Sequence, residues 1–315
     1  MNPNLACPCE GDPGRGVPYF AGVEVGPDLI LAGIFNAELR LLGKTKHSTK
    51  RERGTQTVIE RIGRCLHYAA DECDLSLEQV AGIGVAVPGW VDLATGVVQS
   101  APALGWTDAV PLQTELERLI STAPIRVANV HNLGALAIRA LELDSEPRDL
   151  AAIFVAPEIT LALLHDGAWL DLQNLEAVSG LLEAPARQVF RTLPSLRSSP
   201  FRSRDLRRAI QKGDLAALQQ WAEMVDATAE LASLLEERFR PEQIVLGGAI
   251  VEEMNADLIL QVQRRLRPTA GGRTRTPLLA SALGKIAGIA GAAAWAAQRF
   301  HEPAEEEALV CDTSL

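Results

Sequence analysis

Two short segments of this 315-residue chain have the layout of phosphate-cradling loops and residues unsuited to that task. Gly22-Val23-Glu24-Val25-Gly26-Pro27-Asp28 is the first and Val155-Ala156-Pro157-Glu158-Ile159-Thr160 the second. A loop that holds phosphate offers backbone N–H groups and a hydroxyl. Here Pro27 and Pro157 lack the N–H, and Asp28 and Glu158 bring like charge toward the anion. Glu24 retains the chemistry to face a metal ion. A third segment of note is Gly247-Gly248, a glycine pair at a strand end that first of all permits tight strand-to-helix packing. The fourth is Asn129-Val130-His131-Asn132. Asn129 can hold a hydroxyl; Val130 can neither accept a proton nor orient one. His131 has an ordinary pKa suited to taking protons near neutrality, although its position fits a satisfied cap or surface histidine better than a base.

These residues need a scaffold, and the apolar pattern supplies one. Phe20–Val25 and Leu29–Phe35 flank the turn cluster Gly26-Pro27-Asp28 and predict a hairpin, extended by a strand at Leu39–Lys46. Thr55–Cys73 places Val58, Ile62, Cys65, Leu66 and Ala69 on one helical face. Val80–Val87 reads as a buried strand of parallel type ending in the turn Pro88–Asp92; a helix at Pro111–Ser121, a strand at Ile125–Ala128 and a helix at Leu133–Leu143 follow. The pattern then restarts with strands at Leu150–Val155, Ile159–Leu164 and Ala168–Leu170. Helices are expected at Leu181–Arg191, Ser203–Gln211, Asp214–Phe239, Val251–Leu266 and Gly284–Arg299, with a strand at Ile244–Leu246. The repetition predicts two related α/β lobes facing a cleft. The expected division is a disordered tail at 1–17, an N-terminal lobe at 18–131, a C-terminal lobe at 132–299 whose last helix can return to the first, and an acidic mobile tail at 300–315.

Composition narrows the function. A net charge of −10 opposes nucleic acid and anionic membranes, and two basic clusters, one around Lys44–Arg53 and one around Arg264–Arg275, read as solvated faces. Five scattered cysteines build no disulfide framework, and Cys7-Pro8-Cys9 is half a metal site at best. With neither a signal-peptide pattern nor a long uncharged apolar run, the expected location is the cytoplasm.

Four stretches in order resemble the ROK family of bacterial sugar kinases, repressors and related proteins, within the actin-like ATPase (ribonuclease H-like) fold. They are Gly82–Asp92 with Thr95–Val98, Val127–Asn132, Ile244–Ile250, and Ser281–Gly284 with Ala287–Ala293. The resemblance implies sugar contacts at Asn129 and Gly89, nucleotide contacts at Gly26, Gly247 and Gly248, a metal-side role for Glu24, and a catalytic aspartate at the position that Val130 occupies. It also implies an asparagine where Ala103 stands. The family's zinc-binding His and Cys residues have no counterpart between Trp169 and Glu183, so zinc is not expected. The reading that follows is a non-catalytic ROK protein without cofactor, serving as a binding, scaffold or regulatory protein. Its partners would be a second copy of itself, another protein, or a sugar-like ligand. The alternative is an ATP-dependent sugar kinase acting on a hexose or N-acetylhexosamine with Mg·ATP. Direct DNA binding is not expected, since only a short polar stretch precedes the first strand.

Overall fold

The computed structural model describes residues 18–156, 159–170, 203–268 and 274–301. The expected helix at Leu181–Arg191, the tail at 1–17, residues 302–315 of the other tail, and Pro157 and Glu158 of the second loop lie outside the described residues; Phe300 and His301, expected in the acidic tail, continue the last helix. Backbone contacts divide the chain into two units: Met1–Ala137 with Gly288–Glu305, and Ile138–Ala287 with Glu306–Leu315. The first break falls inside a helix, a few residues beyond the boundary expected at 131/132, and the last helix belongs with the first unit.

The first unit is built on a five-stranded sheet. Strands β1 (Tyr19–Val25), β2 (Leu29–Phe35) and β3 (Leu41–Ser48) form an antiparallel meander, and β4 (Val80–Val87) and β7 (Ile125–Asn129) extend it in parallel, in the order β3-β2-β1-β4-β7. Between β4 and β7 the chain forms a small hairpin, β5 (Trp90–Asp92) with β6 (Val97–Ser100), where the sequence predicts only a turn. Strands of three and four residues are too short for a periodic signal, which is why the apolar pattern does not reveal the hairpin.

One sheet face is apolar and packs on a helix. Ala21, Val23, Ile83 and Val85 form a single core with Val58, Ile62 and Leu66 of α1 (Thr55–Asp71) and with Leu112 and Leu116 of α2 (Leu112–Leu119). The other face is glycine. Gly33, Gly22 and Gly84 sit side by side across β2, β1 and β4, and Arg126 of β7 completes the row. Since strand side chains alternate between faces, one shared register puts all three glycines on the same side.

The last helix, which we label α7 (Ala287–His301), lies directly on that row. A Cβ at Gly22 would collide with the Ile289 carbonyl, and one at Gly84 with the Ala292 carbonyl. Small residues on both partners let backbone approach backbone, and Arg126 fastens the end of the contact. Its guanidinium lies 3.7 Å from the Trp295 ring centroid and donates to the Trp295 carbonyl at 3.3 Å. The Ala-rich composition of α7 is therefore a packing requirement. Its other neighbour is α3 (Val130–Leu141), where Gly291 leaves room for the Leu133 carbonyl.

The second unit repeats the plan. Strands β8 (Leu150–Val155), β9 (Ile159–His165) and β10 (Ala168–Leu170) form a meander, and β11 (Gln243–Gly247) and β12 (Leu278–Ala280) join in parallel, in the order β10-β9-β8-β11-β12. Helices α4 (Ser203–Gln211), α5 (Leu215–Arg238) and α6 (Ala249–Arg265) complete it. Ile153, Val155 and Leu163 share a core with Trp221 and Leu231 of α5 and Leu258 of α6. Asp214 caps α5 by accepting from the Ala217 N–H at 3.0 Å. The duplication expected from the sequence is present strand for strand, and β12 is the one strand in this unit that the pattern does not predict.

Candidate functional site

The candidate residues of the first unit gather at the carboxyl ends of its parallel strands, where α/β sheets bind ligands. Asn129 ends β7 and caps α3. Its Oδ1 accepts from the His131 N–H at 2.8 Å and, more weakly, from the Asn132 N–H at 3.4 Å. Its Nδ2 donates to the Gly89 carbonyl at 2.7 Å. The side chain, nearly buried, is thus committed to holding the β4 exit against the α3 entrance. Only one Nδ2 hydrogen remains for a ligand.

Val130 is the first residue of α3, so the helix begins three residues before the expected start at Leu133. His131 therefore lies in its first turn. Burial pushes the His131 imidazole down to about 4, which leaves it neutral at pH 7. A base whose conjugate acid lies roughly three units below neutrality is poorly matched to proton abstraction there. Glu24 moves the other way, its carboxyl pushed up to about 7 by burial. Glu24 is the next residue on the glycine-row face of β1. It reaches the start of α7, where a Cβ on Gly288 would strike its carboxylate. The sequence marks Glu24 as a metal-side acid and contains no local signal for this shift, because the crowding comes from a helix more than 260 residues away.

Gly26 is taken up by its own turn. Its N–H donates to the Leu29 carbonyl at 2.8 Å and its carbonyl accepts from Thr49 Oγ1 at 2.7 Å. The Thr49 N–H in turn donates to the Asp28 carbonyl at 2.9 Å, so buried Thr49 pins the β1–β2 turn from the far end of β3. With the Gly26 N–H occupied, no N–H on Pro27 and an exposed carboxylate on Asp28, this loop does not fit the phosphates of Mg·ATP.

Gly89 has φ of 125°, and a side chain there would collide with the Ser100 carbonyl on β6. Its place is set by the hairpin, and its carbonyl is the acceptor that Asn129 uses. Ala103 is exposed in the short turn after β6, and its carbonyl accepts from Arg51. Beside Gly89 stands a residue that motif matching passes over: Trp90, 39% exposed.

In the second unit, Gly247 and Gly248 join β11 to α6. Gly248 has φ of 95°, and a Cβ there would lie 2.7 Å from the Val155 carbonyl; one at Gly247 would lie 3.2 Å from the Phe154 ring. Close packing against β8 explains both glycines. Nearby, Glu142 Oε1 accepts from the Ala282 N–H at 2.6 Å and Ser281 donates its N–H to the Leu246 carbonyl at 2.8 Å, fixing the segment that leads out of β12. A groove of about 290 Å³ between α4 and α6 is lined by Arg204, Arg207, Arg208, Gln211 and Glu253, and includes none of the predicted site residues. Among the described residues, no group of three or more His, Cys, Asp or Glu side chains is placed to hold a metal ion, and no helix is long and apolar enough to cross a membrane.

The profile of the ROK family matches residues 20–167 and 182–299. A glucokinase of Halalkalibacterium halodurans is 27% identical over 118 residues, which is 38% of this chain and 35% of that protein, so the chain aligns with about a third of that curated relative's length. Among solved structures, a ROK family glucokinase from Streptomyces griseus in complex with glucose and AMPPNP aligns with a TM-score of 0.70 at 20% identity, over 89% of this chain and 99% of that one. The ROK hexokinase from Thermus thermophilus aligns with a TM-score of 0.67 at 24% identity, over 90% and 100%. These structural likenesses concern the fold, and the family profile, which spans most of the chain, identifies this protein as a member of the ROK family with the actin-like ATPase fold.

Proposed function

We propose that this ROK protein binds a sugar-like ligand and does not transfer phosphate to it, so that it works as a binding, scaffold or regulatory protein. The observation that carries the reading is valine at residue 130, the first residue of α3 and directly after Asn129. Phosphoryl transfer to a hydroxyl needs a carboxylate or comparable base at hydrogen-bond distance from it. An isopropyl group offers none, and His131 is held neutral with a low pKa. The occupied N–H of Gly26 and the acid at Asp28 support the same reading on the phosphate side. On this reading the protein works in the cytoplasm without contacting nucleic acid, and its partner is a second copy or another protein.

The second reading is an ATP-dependent sugar kinase. It is favoured by the fold shared with the glucokinase that holds glucose and AMPPNP, and by Glu24, an acid on the cradle strand that titrates near neutrality. The two separate in one experiment. The purified protein is titrated with D-glucose, D-mannose and N-acetyl-D-glucosamine, with and without Mg·ATP, while melting temperature and sugar phosphate are followed. Any ligand that binds only the folded state raises the melting temperature. A rise with sugar alone and no sugar phosphate is the expected result. Formation of sugar phosphate with turnover would establish the kinase and end the proposal.

A further inference from the structure

Resting on the sugar-binding reading, we infer that Trp90 is the specificity-determining platform of the site, receiving the C–H face of a pyranose ring on its indole. The placement begins with the hairpin. Val91 is buried in the core of the first unit, whereas its neighbour Trp90 is left 39% exposed. Trp90 pairs with Ser100 across the hairpin, and the register shifts between Trp90 and Val91, an irregularity that sets the two residues apart. A large apolar ring left 39% exposed thus follows directly on Gly89, whose backbone is packed against Ser100 and Ala101.

The site around it favours stacking over hydrogen bonding. Gly89 leads straight into Trp90, and its carbonyl is clamped by Asn129, so the indole is referenced to the carboxyl end of β7. The polar side chain at that point is already engaged, since Asn129 also caps α3. Residues 103 and 130 offer only methyl and isopropyl groups. A ligand with a polar rim and an apolar face matches an exposed indole that adjoins Gly89 and the Asn129 amide that clamps it. Trp supplies large, rigid, amphipathic contact area at low entropic cost. A pyranose whose ring C–H groups form an unbroken face meets that requirement; an open-chain polyol does not.

The test compares wild type, Trp90→Ala and Trp90→Phe by calorimetric titration with D-glucose, D-mannose and N-acetyl-D-glucosamine, using sorbitol as the acyclic control. Wild type is expected to bind at least one pyranose and to ignore sorbitol. Trp90→Phe should keep that binding within a few fold, and Trp90→Ala should weaken it about tenfold or more. Since most of the side chain is covered, Trp90→Ala should melt below wild type and Trp90→Phe closer to it, so all titrations are made well below the lowest of the three melting temperatures. Binding should also change the tryptophan emission of wild type, a change lost in Trp90→Phe while the other four tryptophans remain. If wild type binds a pyranose and Trp90→Ala binds it equally well, the platform is wrong and sugar binding survives. If wild type binds none of the three, the sugar-binding reading falls and takes this inference with it.

Discussion

Replacing Glu24 by Gln tests whether a carboxyl is held against its will beneath the last helix of the first unit. Glu24 lies on β1 against Gly288, and its pKa rises from 4.5 to about 7 on folding because burial disfavours the charged form. The sign follows from proton uptake. Below pH 4.5 the acid is protonated in both states and costs nothing. Between pH 4.5 and 7 the unfolded chain ionises while the folded one keeps its proton, so stability falls as pH rises. Above pH 7 both are ionised and the loss is constant. The shift corresponds to about 3 kcal/mol as an upper limit, since the side chain is half-buried and retains some solvent. At roughly 2–4 °C per kcal/mol for a body of this size, the variant should melt above wild type at pH 8, by at most about 6–12 °C, and show no comparable gain at pH 4. The assay is thermal denaturation of both proteins from pH 4 to 8.5, read as the difference between them. Parallel curves across that range would refute the argument that burial, rather than some other property of the site, controls Glu24.

Further predictions concern the same unit. His131→Gln should have the opposite pH signature: the imidazole at about 4 stays neutral in the fold while the unfolded chain protonates below 6.5, so wild type loses stability as pH falls toward 4 and the variant is spared, by up to about 3 kcal/mol. Because the Glu24 and His131 slopes oppose each other between pH 4.5 and 6.5, the summed cost of the pair should stay nearly constant there, so wild type shows little pH dependence from them and only the single variants, melted across that window, expose the two slopes. Gly84→Ala places a Cβ against the Ala292 backbone, which cannot rotate away, and should cost about 3 kcal/mol or more, lowering the melting temperature by roughly 6 °C or beyond. Asn129→Ala removes the α3 cap and strands the Gly89 carbonyl, for a loss of about 2 kcal/mol in denaturant titration.

Much of the architecture is legible before any coordinates. The Leu29–Phe35, Val80–Val87, Leu150–Val155 and Ser203–Gln211 elements stand where the sequence places them, because each carries a local period or a continuous apolar run bounded by turn residues. The duplication is legible too, as is the family, through four ordered motifs. What local pattern cannot carry is the β5–β6 hairpin, too short for a period, and the exit through β12, which is a strand only because β11 offers it an edge.

The site divides along the same line. Sequence by itself determined the residue types: valine at 130, proline at 27, paired glycines at 247 and 248, and the absence of His and Cys in the stretch after Trp169. Tertiary structure alone decided what those residues do. Asn129 reads in the sequence as a residue able to hold a hydroxyl, yet its side chain is engaged by a helix cap and by Gly89. Gly22, Gly33 and Gly84 look like scattered flexible positions, yet strand register aligns them into a bed for α7. Glu24 and His131 read as ordinary ionisable groups, yet burial moves their pKa values toward each other and past neutrality's usual order. The physical reason is common to all three. Residue type sets which interactions are available, whereas desolvation and backbone approach depend on partners far apart in the chain, and folding alone brings them together.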